Sequence, residues 1–140
     1  MKFRWLRRLL GQNERPMKIL LVMLGGSVGA LSRYAVSLLA AKMFGVKFPW
    51  GTLIVNLSGC FLIGLAFAWG ERGFGIMNPS VRLFFMTGYL GALTTFSTFG
   101  LETVTALQEG RHLMVAANIL ANNVIGIALV FLGMAAGRLR

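Results

Sequence analysis

Residues 88–100, GYLGALTTFSTFG, set four hydroxyl side chains (Thr94, Thr95, Ser97 and Thr98) and two phenylalanines (Phe96 and Phe99) between glycines. Hydroxyls are compact hydrogen-bond donors, and the edge of a phenyl ring is the positive end of its quadrupole. Phe96 and Phe99 are three residues apart, so on a helix they share a face. A small anion would meet donors and ring edges there, whereas a cation would seek the ring faces. Phenylalanines in a membrane helix ordinarily pack in the core or against lipid. The flanking hydroxyls argue instead for a wet or ion-facing surface.

Other polar residues interrupt apolar runs. Asn56 lies in GTLIVNLSGCFLIG with Thr52 one turn before it, and Asn118 and Asn122 repeat the i, i+4 spacing with Asn123 alongside. Such amides act as interhelical hydrogen-bond glue or as a polar track along a pore, and the spacing leaves both open. Arg33, in GGSVGALSRYAV, falls about halfway along the first apolar run. It serves as an interfacial anchor, as an ion-pair partner of Glu102, or as an attractor of an anion. Arginine, amides and hydroxyls all donate, and Glu102 is the one acid inside an apolar run. Acidic rings suit cation pores and donor sets suit anions, so the balance favours a small-anion path.

The elements that must position these groups are membrane helices. Of the 140 residues 56% are hydrophobic and 13% charged, and mean hydropathy is +0.73. A soluble domain averages about 25% charged residues. Four stretches reach the roughly 20 residues a bilayer crossing needs: Ile19 to Ala41, Phe48 to Gly70, Leu83 to Gln108 and Leu113 to Gly137. The expected fold is an all-α membrane protein with four transmembrane helices per subunit. Gly88, Gly91 and the threonines should break the third near its middle. An opened backbone is tolerated in lipid only where protein or an aqueous cavity covers it. Connections fall at 42–47, 71–82 (with Gly73, Gly75, Asn78 and Pro79 as turn signals) and 109–112, which is too short for an extramembrane catalytic domain. Gly25, Gly26, Gly29, Gly59, Gly64, Gly126 and Gly133 offer faces for close helix contact.

The net charge of +10 does not point to nucleic acid, because the basic residues flank apolar runs rather than forming one face of a soluble fold. Lys2, Arg4, Arg7, Arg8 and Arg15 make residues 1–16 a basic tail suited to an anionic leaflet, ahead of a channel domain at 17–140. Beyond the tail, Lys18, Arg72, Arg82, Arg138 and Arg140 would lie on one side of the membrane and Lys42, Lys47 and Arg111 on the other. With the tail the positive-inside rule places the termini in the cytoplasm. Without it the bundle is nearly undecided, a hint of insertion in both orientations. Cys60 reads as a small buried hydrophobe and His112 as interfacial. No nucleophile–base pair or metal set suggests an enzyme.

Four segments in order are similar to the CrcB/Fluc family of small fluoride channels: GGSVGALSRY at 25–34, GTLIVNLSGCFLIG at 51–64, TGYLGALTTFSTFGLE at 87–102, and the asparagine-bearing last helix ending in GMAAG. The likeness covers about residues 17–137. It implies an antiparallel dual-topology homodimer in the cell inner (plasma) membrane, surrounded by lipid. Each dimer would hold two pores passing fluoride passively out of the cytoplasm, which relieves fluoride toxicity. It also implies that Phe96 and Phe99 present ring edges to fluoride, that Asn56 donates in the pore, and that Thr52, Thr95, Ser97, Thr98, Asn118 and Asn122 line the polar track. Asn118 stands where some members carry tyrosine. Arg33 resembles the vestibule arginine. Gly91 and Thr94 match positions whose backbone carbonyls hold a structural sodium ion, Na+, on the two-fold axis.

Two other readings compete. A small dual-topology proton-coupled multidrug exporter would need a membrane-embedded carboxylate, usually in the first helix, and 19–41 has none. A non-transporting assembly subunit would use the polar residues as glue alone.

Overall fold

A computed structural model describes residues 15–71 and 78–139, and every element among them is helical. The basic tail through residue 14 and the loop glycines Gly73 and Gly75 lie outside the described residues.

Helix α1 spans Arg15–Phe44. At about 1.5 Å per residue its 30 residues outreach the roughly 30 Å hydrocarbon core. It ends where Gly45 takes φ 78, the left-handed conformation that glycine adopts without steric cost, and the Gly45 N–H closes on Ala41 O at 3.0 Å. Helix α2 is Trp50–Glu71.

Asn78 and Pro79 correct an expectation. Both read as turn residues in the sequence, yet they start a helix: the Asn78 side chain caps Ser80 N at 2.9 Å and the proline occupies the first turn, where its missing N–H costs nothing. That helix, α3, runs through Pro79–Arg82, widens into π-helical turns over Leu83–Leu90, and finishes as Gly91–Leu93. Thr94 (ψ 156) and Thr95 (φ −152, ψ 117) are extended. Helix α4 then restarts at Phe96–Gln108. The third span is therefore two helices joined through a two-residue extended break, as the glycines and threonines predict. Helix α5 comprises His112–Leu120, a π-helical stretch Ala121–Ile125, and Gly126–Arg138. Among the described residues, three helices are individually long and apolar enough to cross a membrane: Pro16–Phe44, Trp50–Glu71 and His112–Arg138.

Backbone approaches hold these helices together. A methyl group at Gly25 would strike the Phe84 carbonyl, and one at Gly29 the Tyr89 carbonyl, so α1 lies directly against the wide turns of α3. Gly64 meets Val130 O and Gly133 meets Phe61 O in the same way, which seats α5 on α2. The small apolar core, Val55, Leu90 and Leu93, sits beside the break, with Val36, Ile63 and Tyr89 packed on it. Many large apolar side chains face outward, including Leu31, Leu101, Ile127 and Phe131. In water such a surface would aggregate; in a bilayer it is the surface lipid or another helix covers.

Candidate ion pathway at the broken helix

A helix break strands backbone N–H and C=O groups, and inside a bilayer each unmet group costs several kcal/mol. Here one side chain meets two of them. Asn56, on α2, accepts from Thr95 N at 2.8 Å through Oδ1 and donates from Nδ2 to Thr95 O at 3.2 Å. A backbone N–H can only donate, so this contact fixes which end of the amide is oxygen. The Thr95 side chain caps the restart: its Oγ1 accepts from Thr98 N at 3.2 Å, donates to Thr98 Oγ1 at 3.0 Å, and lies 3.2 Å from Ser97 Oγ. Thr94 Oγ1 turns back onto Leu90 O at 3.0 Å.

The amides continue into α5. Asn56 Nδ2 also donates to Asn122 Oδ1 at 2.9 Å, Asn122 Nδ2 donates to Asn118 Oδ1 at 2.9 Å, and Asn118 Nδ2 donates to Thr103 Oγ1 at 3.0 Å. Thr103 Oγ1 donates in turn to Phe99 O at 2.7 Å. Asn118 is fully buried. The expected i, i+4 pairing of Asn118 with Asn122 is thus realised as a direct bond, while Asn123 points elsewhere and donates to Ile119 O. Thr103 was not singled out in the sequence; its place one turn after Phe99 was the available signal. Both Nδ2 hydrogens of Asn56 are engaged within the chain.

The two rings meet at a centroid distance of 5.4 Å, tilted by 50°. Phe99 is buried at 8% exposure, but Phe96 is 80% exposed. Beside it, an open cavity of about 390 Å³ is lined by Asn56, Gly91, Thr94, Thr95 and Phe96. A second cavity, of about 350 Å³, brings Arg33 together with Thr52, Thr95 and Thr98. Asn56, Thr52, Thr95, Phe96, Thr98 and Arg33 thus line the two cavities at the break, while Asn118 and Asn122 reach it through the amide chain.

One expected contact does not form. Arg33 makes no ion pair with Glu102. The carboxylate instead accepts from Thr52 Oγ1 at 2.7 Å through Oε1, and its Oε2 is buried without a partner. Glu102 lines a cavity of about 430 Å³ with Thr52 and Thr105, and Arg33 lines the neighbouring one at the restart, with Thr52 common to both.

Among the described residues no group of three or more His, Cys, Asp or Glu side chains could hold a metal ion. Backbone oxygen is available. Thr95 N turns to Asn56 and Thr98 N to Thr95 Oγ1, so the Gly91 and Thr94 carbonyls lose their helical partners. Neutral carbonyl acceptors suit a hard monovalent or divalent cation and not an anion.

The model of the family described as CrcB-like protein, Camphor Resistance (CrcB), matches residues 20–134. Similar proteins include one named fluoride-specific ion channel FluC from Dehalococcoides mccartyi, 43% identical over 122 residues, covering 87% of this chain and 93% of that one. A protein of the same name from Shewanella halifaxensis is 45% identical over 115 residues, 82% of this chain and 91% of its own. Another, from Shewanella sp. strain ANA-3, is 44% identical over the same length and coverage.

Proposed function

The chain belongs to the CrcB family, and on that premise we propose that it is a fluoride-selective, passive ion channel of the cell inner membrane, not an enzyme. It would let fluoride leave the cytoplasm and so relieve fluoride toxicity. The observation that carries this reading is the ring pair Phe96–Phe99 at a helix restart, beside a cavity that Arg33 and the Thr98 hydroxyl line.

Fluoride is small and strongly hydrated. A pore that passes it must exchange water for close donors without binding so tightly that the ion cannot leave. Arg33 would raise the local anion concentration at the entrance. The Thr98 hydroxyl, and those of Thr52 and Ser97 on leaving Glu102 and Thr95, would hand the ion to the ring edges of Phe96 and Phe99, with Asn56, Asn118 and Asn122 forming the polar wall behind. A larger halide fits a donor spacing built for fluoride poorly, and that mismatch is the source of selectivity.

The functional unit is read as an antiparallel homodimer with two pores. The exposure of Phe96 and the open cavities beside it favour this: a path bounded by one chain alone would leak into lipid. The near-balance of Lys and Arg outside the tail agrees with insertion both ways up. The freed carbonyls of Gly91 and Thr94, doubled by a second copy, would hold a sodium ion at the dimer centre. That ion supplies fixed positive potential near the two pores. The proton-coupled exporter is set aside, because α1 has no carboxylate along 19–41 and Glu102 is tied to Thr52.

Purified protein in liposomes should release fluoride down its own gradient with no pH gradient applied, and should pass almost no chloride. Equal efflux of the two anions would overturn the selectivity, and fluoride movement only under a proton gradient would return the exporter.

A further inference from the structure

We infer that Asn118 and Asn122 are positioning residues: together they form a one-way hydrogen-bond relay that holds the Asn56 amide in the orientation that latches the helix break. The relay runs Asn56 → Asn122 → Asn118 → Thr103 → Phe99 O, and each step is a donor passing to the next acceptor in the same sense. Its two ends are backbone groups whose roles cannot reverse. At one end the Thr95 N–H can only donate, and at the other the Phe99 carbonyl can only accept.

Flipping any amide in the chain would place two donors or two acceptors face to face, so one orientation of the whole set is selected. Asn122 is held doubly, since its Nδ2 also donates to Asn118 O at 3.1 Å. The terminal acceptor belongs to Phe99, one of the two rings, while the latch sits one residue before Phe96, the other. The relay therefore ties both ring-bearing residues of α4 to α2 and α5 through a single set of bonds. Hydrogen bonds in such a chain also polarise one another.

The inference rests on the channel reading only for its consequence on transport; the relay itself can be tested without ions. In full-length, isotope-labelled protein in detergent micelles, the side-chain amide hydrogens of Asn56 should exchange with solvent much more slowly than those of Asn123. The latter lies at the same depth on α5 but outside the relay. Equal exchange in the unaltered protein overturns the proposal with no variant needed.

In Asn122→Leu and Asn118→Leu, exchange of the Thr95 backbone amide should accelerate about tenfold, the loss expected from one hydrogen bond. The fluoride-to-chloride flux ratio should fall with it, while Asn123→Leu leaves both unchanged. Unchanged Thr95 exchange in a folded Asn122→Leu protein sinks the relay whatever the flux does. Slow Thr95 exchange and intact relay bonds in a protein that moves no fluoride sink the channel reading instead.

Discussion

The side-chain amide of Asn56 straddles the backbone of Thr95, 39 residues further along the chain, accepting from its N–H at 2.8 Å and donating to its carbonyl at 3.2 Å. This is the pairing a neighbouring strand would offer, supplied by one residue at the one place where the third span is extended. Replacing Asn56 by leucine, which is close in volume, orphans both groups. Each unmet buried group costs about 1–3 kcal/mol. Asn56→Leu should therefore lose about 2–6 kcal/mol in reversible unfolding from micelles; a loss below about 0.5 kcal/mol would mean the break is satisfied in another way.

The two rings should separate in their effects on stability but not on transport. Phe96→Ile and Phe99→Ile are each expected to cut fluoride efflux about tenfold, or about 1.4 kcal/mol, with the proposed dimer retained on size-exclusion chromatography. Phe99 is buried within its own chain, so its replacement also lowers the unfolding midpoint. Phe96 is exposed there, so its replacement lowers stability only to the extent that a second copy covers it. Unchanged efflux in both variants would return the rings to simple packing.

Adjacent glycines on α1 make a paired test of the α1–α3 contact. A methyl group at Gly25 meets the Phe84 carbonyl oxygen, a backbone atom that has nowhere to go, while one at Gly26 meets nothing within 4 Å. Gly25→Ala should cost at least about 1–3 kcal/mol through forced separation of the two helices. Gly26→Ala should be neutral or gain about 0.5–1 kcal/mol from lower backbone entropy in the unfolded chain. Comparing expression and melting of the two variants checks this; equal behaviour would mean that α1 does not sit on the wide turns of α3.

A sodium ion on the carbonyls of Gly91 and Thr94 predicts a cation requirement that does not involve fluoride. Protein prepared with sodium replaced throughout by N-methylglucamine should melt at a lower temperature, and restoring sodium should raise the midpoint in a concentration-dependent way, as for any ligand that binds only the folded state. A midpoint indifferent to sodium between zero and a saturating concentration would remove the ion from the proposal.

Much of this protein was legible in its sequence because polar groups are costly in hydrocarbon. Against a background of 56% hydrophobic residues, Arg33, Asn56, Asn118, Asn122 and the hydroxyl run stand out as groups that must face the interior or the ion. Glycines and threonines in 88–98 announced the break by their low helix propensity, and it falls at Thr94–Thr95. The start of α3 was not legible because Asn-Pro is compatible with a turn and with a helix cap, and the choice lies with the residues C-terminal to it.

Partner choice was not legible either. An i, i+4 spacing shows that Asn118 and Asn122 share a face, but not that Asn122 will accept from an amide 66 residues earlier or that Asn118 will find Thr103. Glu102 illustrates the same limit: charge alone suggested Arg33, yet the carboxylate takes a hydroxyl from Thr52, 50 residues away, because that is the donor α2 brings alongside it. Composition and periodicity are properties of one helix at a time, so they determined which groups had to be paired. Where the backbones touch, at Gly25 against Phe84 and Gly64 against Val130, set the depth and rotation of each helix, and only that decided with whom.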